Sequence, residues 1–79
     1  MDLKRAIMER FRLTSREADV AMRLVEGDSY KEAAARLGIT VNTINAHVTE
    51  ILRKAGVKSS RRLASVLLRD AAGHGSADA

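Results

Sequence analysis

Apolar residues recur along this chain at helical spacing, in blocks separated by capping residues and glycines. From Asp2 to Phe11 the apolar positions are Leu3, Ile7 and Phe11, with Met8 beside them, which is one face of a helix. A second block, from about Ser15 to Glu26, points Ala18, Ala21, Met22 and Val25 inward, with Leu24 nearby, and Gly27 ends it. A short helix follows over Tyr30 to Leu37. A longer one over Val41 to Ala55 carries Val41, Ile44, Val48, Ile51 and Ala55 as a three-four stripe that Leu52 widens. The last block bears Leu63, Val66 and Leu67. No alternating strand pattern appears, and the absence of proline leaves every helix unbroken. The pattern predicts an all-α fold, a compact domain of four to five helices.

Local chemistry marks the boundaries. Thr14 with Glu17, and Ser29 with Glu32, have the three-residue spacing of capping boxes. Gly38 and Gly56 suit the left-handed residue that closes a helix, Thr40 can cap the helix that starts at Val41, and Ser59 or Ser60 can cap the last one. Two helices joined by a short turn containing glycine form a helix-turn-helix, the unit that lays its second helix in the DNA major groove. Residues 1–12 then read as an N-terminal helix, 13–71 as the helix-turn-helix domain, and 72–79, with the run GHGSADA, as a disordered tail.

Composition narrows the function. The net charge is +4, which favours a polyanionic partner. Phe11 and Tyr30 are the only aromatic residues, so the stacking platforms of single-strand and RNA binders are missing. Duplex DNA read by a helix needs none. Without cysteine there is no disulfide and no thiolate metal site. No apolar run approaches the ~20 residues of a membrane span and no signal-peptide pattern is present, so a cytoplasmic protein is expected.

The polar arc of the Val41–Ala55 stretch holds Asn42, Ala46, Thr49, Glu50 and Arg53, with Asn45 on one border of the stripe and His47 and Lys54 on the other. Asn can bond N6 and N7 of adenine, Thr can bond a base or touch a thymine methyl, and Ala can touch that methyl. Asn45, Ala46 and Thr49 are therefore the candidate base readers. Periodicity alone fits equally an ordinary amphipathic helix with a solvated face; the turn chemistry favours the reading helix. Candidate phosphate contacts are Thr14, Lys31, Thr40, Asn42, Thr43, Arg53, Lys54 and Lys58. Glu50 repels phosphate unless it accepts from cytosine, and a pair with Lys54 at i+4 is the favoured role for it. His47 has only Glu50 near it at ligand spacing, which makes no metal site, and His74 falls in the tail. No phosphate-binding glycine loop and no nucleophile with a placed base is visible, so neither a cofactor nor an enzymatic activity is expected.

The segments LTSRE (Leu13 to Glu17), Gly27, KEAAARLGIT (Lys31 to Thr40), TINAH (Thr43 to His47) and ILRKAGVKS (Ile51 to Ser59) resemble, in order and spacing, the signature of the LuxR/NarL/GerE family of bacterial transcription regulators. The resemblance spans about Leu13 to Leu68. Ala33 and Ala55 stand where the family usually has larger apolar residues, and Thr49 and Glu50 where many members carry basic or polar ones. The resemblance implies sequence-specific binding to double-stranded DNA in transcription control, with Asn45, Ala46 and Thr49 at base-contacting positions and His47 beside the recognition surface. It implies that Glu17 bridges to a basic residue of the fold. It also implies a homodimer strengthened on DNA, paired through the last helix at Leu63, Val66, Leu67 and Leu68, and a contact with RNA polymerase; the alternative for Leu63, Val66 and Leu67 is that all three point into the core. Met1 and the Leu3–Ile7–Phe11 helix favour a stand-alone regulator over the effector domain of a longer one. Two alternatives share the helices: a protein-interaction module or antagonist that heterodimerises with a related regulator, and a σ-factor-like promoter-binding module.

Overall fold

The computed structural model describes residues 2–71, which form five helices. These are α1 (Leu3–Phe11), α2 (Ser15–Val25), α3 (Tyr30–Leu37), α4 (Val41–Ala55) and α5 (Ser60–Ala71). The tail expected at 72–79 lies outside the described residues.

Each boundary has a local cause. The Asp2 carboxylate accepts from the first amides of α1, which ends at Arg12 in the left-handed region (φ 58°). Both capping boxes form: the Glu17 amide donates to Thr14 Oγ1 (3.1 Å) while Glu17 Oε1 accepts from the Thr14 amide (2.9 Å). Ser29 and Glu32 exchange the same two bonds at 3.0 and 2.7 Å. Ser59, of the two serines considered, receives the Arg61 amide at the start of α5 (3.2 Å). Gly38 closes α3 at φ 68°, and Gly56 closes α4 at φ 70°.

Helix α2 is the hub, packing against all four others. It is consequently buried over a wider arc than its apolar spacing predicts. Val20, absent from the predicted inward face, is fully buried, and Met22, Leu24 and Val25 are half-buried around it. The core is closed by Ile7 and Phe11 of α1, Leu13, Ala33 and Ala34 of α3, Ile44, Val48 and Ile51 of α4, and Leu63 and Leu67 of α5. The predicted stripe of α4 is buried at Ile44, Val48 and Ile51, but Val41, at its first turn, protrudes and is 39 % exposed.

For two leucines of the last helix the structure corrects the dimer expectation in favour of the core alternative. Leu63 and Leu67 have no exposed surface, because α5 packs on α1, α2 and α4 along that face, and both belong to the core rather than to a dimer contact. Val66 is half-buried, and Leu68 is left outside.

Candidate nucleic-acid interface

Helices α3 and α4 meet through Gly38, Ile39 and Thr40. The left-handed Gly38 turns the chain, and the Ile39 amide donates back to the Ala34 carbonyl (3.0 Å), while Ile39 itself is half-buried against the core. Thr40 Oγ1 then accepts the Thr43 amide (3.1 Å) and fixes the first turn of α4. With Ile44, Val48 and Ile51 buried, the opposite side of α4 is held outward by packing.

That outward side presents Asn42, Thr43, Asn45, Ala46 and Thr49, all exposed. The three expected base readers therefore share one surface in the N-terminal two thirds of α4. Thr49 Oγ1 donates to the Asn45 carbonyl (3.0 Å). Its hydroxyl hydrogen is thereby occupied, which leaves a lone pair and the methyl group for a partner. The Thr40 and Thr43 hydroxyls lie 3.0 Å apart and share one hydrogen. Asn42 and Asn45 keep free amide groups with both donors and acceptors.

The charges on α4 arrange themselves differently from the sequence expectation. Glu50 pairs with Arg53 at i+3, at 2.7 Å, and not with Lys54. The Arg53 guanidinium holds the Glu50 carboxyl below its usual range, and the carboxylate holds the guanidinium above its own. Lys54 turns inward instead: its ammonium lies 2.7 Å from Glu17 Oε1, with the side chains only 20 % and 8 % exposed. Lys54 is thus withdrawn from the surface on which a phosphate contact was expected. Burial pushes the Glu17 carboxyl up. Hydrogen bonds from Lys54 and from the Thr14 amide, together with the Lys54 charge, outweigh it, so the net shift is downward. The bond spans thirty-seven positions in sequence. It ties the start of α2 to the last turn of α4. The basic partner that the resemblance implied for Glu17 is Lys54.

The remaining candidates surround this face or flank it. Thr14 caps α2 and Lys31 lies in the first turn of α3, both exposed; Lys58 is exposed in the α4–α5 turn. His47 is half-buried on the flank of α4. Among the described residues no cluster of His, Cys, Asp and Glu has the makings of a metal site, and no helix is long and apolar enough to cross a membrane. Arg16, in the first turn of α2, reaches across to the Leu37 carbonyl (3.4 Å) and braces the end of α3 against α2.

Residues 12–67 match the family described as bacterial regulatory proteins, luxR family. The chain is 42 % identical over 52 residues to the transcriptional regulatory protein UhpA of Salmonella typhimurium, covering 66 % of this chain and 26 % of that protein. It is 41 % identical over 56 residues to the nitrate/nitrite response regulator protein NarP of Escherichia coli, covering 71 % and 25 %. The oxygen regulatory protein NreC of Staphylococcus aureus is 35 % identical over 57 residues, covering 72 % and 26 %. The chain thus spans about a quarter of the length of the curated relatives it matches. No solved structure is a significant match. A family match over most of the chain, on a five-helix fold with α3 and α4 joined as a helix-turn-helix, establishes that the chain belongs to the luxR family of bacterial regulatory proteins.

Proposed function

We propose that the chain binds duplex DNA sequence-specifically in transcription control, with α4 in the major groove. The observation that carries this reading is the face of α4. Short, uncharged side chains at Asn42, Asn45, Ala46 and Thr49 stand outward, opposite a stripe buried at Ile44, Val48 and Ile51. Side chains of this size and polarity match base edges. Thr14, Lys31, Thr40, Asn42, Thr43 and Lys58 are the proposed phosphate contacts that set register. Two copies engage two half-sites, paired through the outer side of α5 at Leu68.

The test is selection of bound fragments from a random duplex pool, followed by titration of the winner at several salt concentrations. A dimer neutralising about six to eight phosphates has a log–log slope of about −5 to −7, at ~0.9 per phosphate. A flat salt response would falsify groove docking. One observation favours a second reading, an antagonist that pairs with a related regulator: Glu50 and Arg53 cancel, so the outward face of α4 has little net charge. An empty selection, with capture of a relative's helix-turn-helix domain, supports that reading instead.

A further inference from the structure

We propose that Lys58, Arg61 and Arg62, at the corner between α4 and α5, form a second grip on the DNA phosphate backbone and supply much of the duplex affinity. The inference rests on the DNA-binding reading above but concerns residues outside the recognition helix.

The argument starts from where the positive charge is already used. Lys4 pairs with Asp19 (2.8 Å), Arg23 with Glu26 (2.8 Å), Arg36 with Asp28 (3.1 Å), Arg53 with Glu50 (2.7 Å) and Lys54 with Glu17 (2.7 Å). Arg5 and Arg16 reach Glu9 and Asp19 at 4.0 and 3.8 Å. Arg10 lies over the Phe11 ring, 5.8 Å from its centre. Among the described residues, Arg12, Lys31, Lys58, Arg61, Arg62 and Arg69 have no carboxylate partner, Arg69 reaching only the Ser65 hydroxyl. Three of these six fall within five consecutive positions, and all three are exposed. Lys58 and Arg62 share the lining of one open hollow with Gly56, Val57 and Ser59. An uncompensated concentration of like charge is a cost to folding unless a polyanion meets it.

The position of the corner selects the partner. Helix α4 has 15 residues and is about 22 Å long at ~1.5 Å per residue. The major groove is about 12 Å wide. With the N-terminal half of α4 on the bases, its C-terminal end emerges over the flanking strand, and Lys58, Arg61 and Arg62 follow directly beyond Gly56. Affinity for duplex DNA comes largely from phosphate neutralisation. The face of α4 cannot provide it, because Arg53 is held by Glu50 and Lys54 by Glu17. The corner can.

The experiment compares the full chain with a Lys58→Gln/Arg61→Gln/Arg62→Gln triple variant on the selected duplex and on an unrelated duplex, over a range of salt. The expected result is weaker binding to both duplexes by the same factor, with the salt slope reduced by ~0.9 for each contact removed. The melting temperature of the free chain should hold or rise, because like charge is removed. Arg61→Lys/Arg62→Lys, which keeps the charge, should retain the slope. Should the triple variant lose structure, Arg61→Gln alone still reads one contact. A folded variant with the wild-type slope overturns the proposal while leaving the DNA-binding reading in place. So does a variant that loses selectivity but keeps its slope. A wild-type chain that binds neither duplex overturns both.

Discussion

Lys54 and Glu17 meet at 2.7 Å in a setting that excludes most of the surrounding water, and the pair is only as secure as both members. Removing one leaves the other charge buried alone, which costs about 3 kcal/mol in comparable pairs. Lys54→Met is therefore expected to lower the unfolding free energy by about that amount, read from the urea midpoint at unchanged slope. Glu17 also gives the fold a pH dependence. Its native carboxyl titrates below its ordinary value, so the ionised form is preferred in the folded state. The stabilisation is complete above the ordinary carboxylate value and disappears as pH falls through the lowered native one. Acid should therefore unfold the wild-type chain more steeply than Glu17→Gln, measured by circular dichroism between neutral and acidic pH. A second prediction concerns base reading. Asn45→Ala and Thr49→Ala should each cost about 1–3 kcal/mol on the preferred duplex and little on others. Binding to a set of duplexes changed one base pair at a time tests this. Uniform loss across the set would instead make both residues mere backbone contacts. Thr49 is expected to select through its methyl group and lone pair, because its hydroxyl hydrogen is bonded to the Asn45 carbonyl.

At the scale of elements, the α3–α4 turn determines how the recognition face is presented. Gly38 sits at φ 68°, and a Cβ built there meets nothing within 4 Å. The cost of Gly38→Ala is accordingly backbone conformation alone, about 1–2 kcal/mol, and Gly38→Asn should recover part of it. Thermal melts of the two variants check the order. These turns were legible beforehand for a physical reason: a cap is satisfied by atoms three residues away. Thr14 with Glu17 and Ser29 with Glu32 state their geometry in the sequence itself. The hub role of α2 was not legible. Val20 lies outside the Ala18–Ala21–Met22–Val25 face, and only the presence of packing partners on several sides buries it.

At the scale of the whole molecule, one core served by five helices leaves little apolar surface over. Leu68, 43 % exposed, is the one large apolar side chain that α5 presents to solvent among the described residues, far too little for a stable interface of ~1,200 Å². The free chain is expected to be largely monomeric at micromolar concentration and to pair when one duplex holds two copies side by side. Leu68→Asp should leave the melting temperature in place and reduce the cooperativity of DNA binding. Leu67→Asp should unfold the chain, since Leu67 has no exposed surface. If Leu68→Asp bound two half-sites as cooperatively as wild type, the α5 contact would be ruled out. Sedimentation velocity and binding to a two-site duplex together make the comparison.

The amino-acid sequence by itself determined the all-α class, where four of the helices begin and end, and the polar face of α4. All of these follow from interactions between residues a few positions apart. Only the tertiary structure decided which ions pair and which leucines face solvent. Glu50 had Arg53 and Lys54 at comparable local spacing, and Lys54 went to a carboxylate thirty-seven positions away because α2 lies against α4. Leu67 and Leu68 are neighbours in sequence, but consecutive helical residues point about 100° apart. Which one is buried depends on the rotation of α5 against α1, α2 and α4, and that rotation is set by packing rather than by period.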